Sequence, residues 1–98
     1  MDVLKFEDLK FQPHPIGHGI QAVAQFDNGY GVSVVRFKWS YGYEEGLFEL
    51  AVLKGNSLCY DTPVTNNVLG YLTLEDVTEQ MAAIQALPPT TDNAVTIT

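Results

Sequence analysis

Basic residues run out early in this chain. Its 98 residues hold only five Lys and Arg (Lys5, Lys10, Arg36, Lys38, Lys54) against twelve Asp and Glu, for a net charge of −7. From Gly55 onward there are five acids and no Lys or Arg. Phosphate backbones and anionic headgroups repel such a chain at long range, which argues against direct binding to nucleic acid or to a membrane surface. A basic protein partner suits the same charge. Nor is the acid density that of a nucleic-acid mimic, since duplex DNA carries a charge about every 1.7 Å of axis. Cysteine is scarce too. Cys59 stands alone, so no intramolecular disulfide can form, in keeping with a reducing compartment. No run approaches the roughly 18 apolar residues of a membrane span. The segment Met1-Asp2-Val3-Leu4-Lys5-Phe6-Glu7-Asp8 lacks the basic start and apolar stretch of a signal peptide. The expectation is an unprocessed cytoplasmic protein.

Motifs for chemistry are missing as well. There is no Gly-x-Ser-x-Gly and neither phosphate-cradling glycine pattern. Glu44-Glu45 is a pair of acids, but adjacent side chains point apart in extended structure. His14 and His18 have helical spacing, yet Pro13, Pro15, Gly17 and Gly19 surround them and rule out a helix. As metal ligands they need further partners. Cys59 and Asp61 are the plausible additions, and nothing in the sequence brings them close. Cys59, between Leu58 and Tyr60, reads as a buried, inert strand residue. The expectation is a non-enzyme with no metal and no cofactor.

What is present is enough for one core: 46% hydrophobic residues, 11% aromatic, in a length typical of one domain. Asp27-Asn28-Gly29-Tyr30 lies between the apolar runs 20–26 and 31–37. Asn-Gly favours a two-residue type I′ turn, in which residues whose numbers sum to 57 face each other. That register puts Ile20, Ala22, Ala24 and Phe26 on one face with Gly31, Ser33, Val35 and Phe37. It leaves Val23, Val32 and Val34 together on the other, a possible homodimer face. A second hairpin is predicted from the strand 47–53 through a glycine-first turn at 54–57, pairing Leu53 with Leu58 and Val52 with Cys59. A short helix over 44–53 competes with it. Residues 8–12 read as an edge strand that stops at Pro13.

One helix is predicted near the end. Thr73 is its N-cap, with Asp76 at the capping-box position and Leu72 placed to staple onto Val77. Leu74, Val77, Met81, Ile84 and Leu87 form its apolar stripe, and Pro88-Pro89 ends it. Residues 1–89 thus read as one α+β domain, a four- or five-stranded antiparallel sheet with the helix on one face. Residues 90–98 read as a flexible tail.

Between the hairpins lies Trp39-Ser40-Tyr41-Gly42-Tyr43-Glu44-Glu45-Gly46. Trp and Tyr dominate binding hot spots, so Trp39, Tyr41, Tyr43, Glu44 and Glu45 are the candidate site for a basic protein partner. The competing reading extends the strand through Trp39 and Tyr41 to cap the core, leaving 43–45 in water.

Phe6-Glu7-Asp8-Leu9-Lys10-Phe11, Gly17-His18-Gly19-Ile20-Gln21-Ala22, Phe26-Asp27-Asn28-Gly29-Tyr30-Gly31 and Leu69-Gly70-Tyr71-Leu72-Thr73 resemble stretches of small uncharacterised acidic proteins of tailed bacteriophages and prophages. The resemblance covers roughly residues 4–87 and carries no active site. It implies a bacterial host cytoplasm and a protein that binds or inhibits a host protein. A small-molecule or nucleotide module on the open sheet face, or a virion or assembly component, are the alternatives.

Overall fold

The computed structural model describes residues 3–16, 18–55, 57–58 and 68–89. An antiparallel sheet is built from β1 (Gln12–Pro13), β2 (Gly19–Gln25), β3 (Tyr30–Phe37), β4 (Phe48–Lys54), β5 (Ser57–Leu58) and β6 (Leu69–Leu72). The order across it is β1-β2-β3-β4, and β5 and β6 share the far edge of β4. Among the described residues six strands thus fill five positions. One helix, α1 (Leu74–Gln85), packs on one face. This is the α+β arrangement expected. The second hairpin also forms as expected, with Leu53 opposite Leu58. Its proposed Val52–Cys59 pair, the ligand candidates Cys59 and Asp61, and the tail 90–98 lie outside the described residues.

The first hairpin differs from expectation by one residue. Gly29 N donates to Phe26 O at 3.2 Å and Phe26 N donates to Tyr30 O at 2.7 Å. Gly29 has φ 91°. This is a three-residue loop, a turn closed by a glycine bulge, in place of a two-residue type I′ turn. Facing residues now sum to 56, so Ala22 meets Val34 and Ala24 meets Val32. A slip of one residue exchanges faces. Val32 and Val34 are therefore 0% exposed in the core with Ala22, whereas Val23 is 54% exposed on the opposite face. The three valines share no surface, and a dimer through them has no patch to use. Burial explains the choice. This register pools Val32, Val34, Leu50, Val52, Phe26 and Phe48 under Val77, Met81 and Ile84. Each of the fully buried side chains is worth roughly 1.5–3 kcal/mol over its exposed state.

The helix begins as its sequence predicts. Asp76 N donates to Thr73 Oγ1 at 3.1 Å, and Thr73 N donates to Asp76 Oδ2 at 3.1 Å. Leu74 departs from the expected stripe and is half exposed, because only Val77, Met81 and Ile84 point straight at the sheet. The other end is held from outside. Asn28 Nδ2 donates to the carbonyls of Ile84 (2.9 Å), Gln85 (3.4 Å) and Leu87 (3.1 Å). Pro88 and Pro89 stand where the next amides for Ile84 and Gln85 would come from and have none to give, although Ile84 O also accepts from Leu87 N at 3.1 Å.

The N-terminal segment also departs from expectation. Residues 8–11 are not a strand. Phe6–Asp8 is a 3₁₀ turn, and pairing with β2 begins at Gln12 and includes Pro13. Leu4, Phe6, Leu9 and Phe11 instead pack against the core. Gln85 clasps this strap: Leu4 N donates to Gln85 Oε1 and Gln85 Nε2 donates to Leu4 O, both at 2.9 Å. A competing demand for burial thus removes these residues from the sheet edge. Phe6 and Phe11 lie 5.0 and 5.8 Å from the Phe48 ring, and Arg36 stands 5.5 Å over its face.

Candidate functional site

β3 ends at Phe37, and Trp39 and Tyr41 do not extend it. Ser40 is the reason. Its hydroxyl accepts from Phe37 N at 3.0 Å and donates to Phe37 O at 2.8 Å, while Ser40 N donates to the same carbonyl at 2.8 Å. These bonds turn the chain back on itself and bury Ser40. Trp39 and Tyr41 are thrown outward, 62% and 58% exposed. The core-capping reading of these two residues is thereby corrected. Tyr43 is half-buried at the start of the 3₁₀ turn Tyr43–Glu45, and the side chains of Glu44 and Glu45 are exposed.

The loop is fixed to the sheet at several points. Tyr41 N donates to Glu49 Oε1 at 2.9 Å, and Tyr71 N donates to Tyr41 O at 3.4 Å. Leu47 N closes the loop onto Gly42 O at 2.9 Å. Tyr41 lies directly over Gly70, where any Cβ would run into Cβ of Tyr41. This close approach needs glycine at 70. Just beyond it β6 bulges. Tyr71 takes φ 59°, rare for a bulky residue, and its side chain is 59% exposed. The bulge aims Tyr71 toward the loop, as bulges near sites commonly re-aim a side chain.

The result is an open cleft of about 180 Å³ lined by Lys38, Trp39, Ser40, Tyr41, Gly42, Tyr43, Glu44, Glu45 and Tyr71. All five residues singled out by sequence therefore line one cleft. Tyr71 and Lys38 were missed. Tyr71 is thirty residues from Tyr41, and only the left-handed backbone at 71 brings it in. Lys38 Nζ sits 5.5 Å over the Trp39 ring, so a cation already occupies one aromatic face. Trp39 is backed by Phe37 at 6.2 Å, and Phe37 in turn stacks on His14 at 3.9 Å. His14 Nδ1 accepts from Ile16 N at 3.1 Å. His14 thus serves as packing and as an acceptor in its own turn, while His18 is exposed at φ 58°. Among the described residues no group of three or more His, Cys, Asp or Glu side chains gathers to hold a metal ion.

The cleft is smaller than the roughly 300–1,000 Å³ of small-molecule sites. The sheet face away from α1 is not an open platform at its centre either, since Val35, Ala51 and Leu53 are each under a tenth exposed. Among the described residues no helix is long and apolar enough to cross a membrane. No family model matches the chain, and no curated protein or solved structure matches it.

Proposed function

We propose that this chain is a non-enzymatic protein-binding domain that receives a basic segment of a partner on the Trp39–Glu45 loop and Tyr71. The observation that carries the reading is the exposure of Trp39, Tyr41 and Tyr71, each about three-fifths open, on backbone already tied down by hydrogen bonds. Large aromatics left in water forgo burial that is worth kilocalories elsewhere, and contiguous exposed apolar surface marks interaction sites. Their scaffold needs little ordering on binding, and it is that ordering cost which usually erodes interface affinity. Glu44 and Glu45 outnumber Lys38 around the cleft, and the chain as a whole is acidic at −7. Both favour a Lys- or Arg-bearing partner and speed its approach at low salt. The resemblance to phage proteins supports a bacterial host protein as that partner and the host cytoplasm as the place.

The chain has one tryptophan, so Trp39 reports on its own cleft. Proteins captured from bacterial lysate by the wild-type chain are compared with those captured by a Tyr41→Ala, Glu44→Lys, Glu45→Lys variant of equal thermal stability. A stoichiometric partner lost in the variant, and shifting Trp39 emission when titrated into the wild type, supports the reading. A partner retained by the variant with no change in Trp39 emission refutes it.

A further inference from the structure

Asn28 is the only asparagine in the chain followed by glycine. An Asn side chain is open to attack by the next residue's backbone nitrogen, and glycine leaves that nitrogen unshielded because it has no Cβ. In this fold the same side chain is the clamp on the end of α1. Its Nδ2 donates to Ile84 O, Gln85 O and Leu87 O, and its Oδ1 accepts from Tyr30 N at 3.1 Å. The would-be nucleophile is engaged as well, since Gly29 N donates to Phe26 O. We infer that Asn28 is a site of spontaneous deamidation, that docking of α1 suppresses the reaction, and that the product can no longer hold the helix.

The chemistry balances with water alone. Gly29 N gives up its proton to solvent and bonds to Asn28 Cγ. The Cγ–Nδ2 bond breaks, and the nitrogen takes a proton from solvent and leaves as ammonia. Water then opens the five-membered imide at either carbonyl, giving aspartate or isoaspartate at position 28. Ring closure requires Cγ to swing away from the helix carbonyls and Gly29 N–H to leave Phe26 O. The first movement breaks bonds that exist only while the hairpin tip and α1 are docked, and the second breaks the bond that closes the turn itself, so the reaction has to wait for a local opening of the tip.

The product reverses the sense of the contact. A carboxylate has no proton to donate, and it would face three carbonyl oxygens at the negative end of the helix. The last turn of α1 carries no basic residue to offset the new charge. Isoaspartate also adds a backbone atom inside the turn that sets the β2–β3 register. Opening of the tip therefore becomes one-way once the imide has formed.

The test follows mass and peptide maps of the folded full-length chain beside a free peptide of residues 25–31 in the same neutral buffer. Deamidation at position 28 is expected to be slower in the folded chain by roughly tenfold or more, as for a reaction gated by local opening. The Asn28→Asp variant, which presents the product without the chemistry, is expected to raise the unfolding equilibrium constant roughly ten- to hundredfold, since a part-buried donor is lost and a carboxylate is set against the carbonyls it served. Amide exchange over residues 82–87 should quicken in the same variant. Equal deamidation rates in chain and peptide overturn the gating. An Asn28→Asp variant with the wild-type urea midpoint and wild-type exchange overturns the release.

Discussion

The β2–β3 register can be tested with two substitutions of the same chemistry. Val34 is fully buried beneath α1, and Val23, on the other face one strand away, is 54% exposed. Val34→Ala removes two methyl groups, about 1.6 kcal/mol at about 0.8 kcal/mol each. A residual cavity of roughly 50 Å³ adds about 1.2 kcal/mol at about 24 cal/mol per Å³. The total is about 3 kcal/mol. Val23→Ala gives up less than half of the transfer contribution and leaves no cavity, under about 0.8 kcal/mol. Loss of β-propensity is common to both variants and drops out of the comparison. The remaining gap is about 2 kcal/mol. With a urea m-value of about 1.2 kcal/mol/M, near the low end for small domains, the two midpoints should differ by about 1.7 M. Equilibrium urea unfolding, followed by circular dichroism so that Trp39 is not the sole reporter, measures this directly. Equal losses in the two variants, or the larger loss in Val23→Ala, would refute the three-residue turn and restore the alternative in which Val23 and Val34 share a face.

Thr73→Ala removes the hydroxyl that accepts from Asp76 N and should cost about 1 kcal/mol in the same assay, with the m-value unchanged. Gly70→Ala would drive a methyl into Tyr41 Cβ. It should therefore weaken partner binding by displacing Tyr41, with loss of affinity outrunning loss of stability; a variant that binds as well as wild type would show that the position of Tyr41 is immaterial.

Which features could be read from sequence follows from how local their causes are. The capping box of α1 depends on residues three apart, and Thr73 and Asp76 spell it out. Leu53 meets Leu58 because a glycine-led turn lies between them. The first hairpin was harder, since Phe26-Asp27-Asn28-Gly29-Tyr30 suits two loops that differ by one residue. A usable signal was nonetheless present. Val32 and Val34 alternate with Gly31 and Ser33, so the apolar side of β3 is its even-numbered side, as it is in Ile20, Ala22 and Ala24 of β2. Weighing that alternation above the Asn-Gly dipeptide selects the observed register. Residues 8–11, expected in an edge strand, belong to the strap 4–11 for a different reason. Its apolar residues pack on the core without entering a ladder, and Gln85, which fixes them, is 81 residues from Leu4. At the site the five residues between the hairpins were legible from composition. The exposure of Trp39 and Tyr41 was not, because it hangs on the three hydrogen bonds by which Ser40 reverses the chain. Tyr71 enters only through a backbone conformation that tyrosine seldom adopts.

The two ends of α1 answer to different parts of the molecule, and this separates stability from the recognition proposed for the cleft. Its first turn follows directly on β6, whose Tyr71 lines the cleft, while its last turn hangs from Asn28 at the hairpin tip. Twelve residues of helix put about 18 Å between the two. The bonds that shape the cleft run from Ser40 to Phe37, from Tyr41 to Glu49 and from Tyr71 to Tyr41, and none of them involves α1. Losing the Asn28 clamp therefore removes holding energy from the far end of the helix without touching the geometry around Trp39. Chains deamidated at position 28 should bind the proposed partner with unchanged affinity for as long as they stay folded, and should lose binding only in proportion to the fraction unfolded. Titration of the Asn28→Asp variant below its unfolding transition, read through Trp39 emission, measures this. An affinity that falls while the chain is still fully folded would mean that α1 carries strain from the hairpin tip to the cleft, and the two ends would have to be treated as one coupled element.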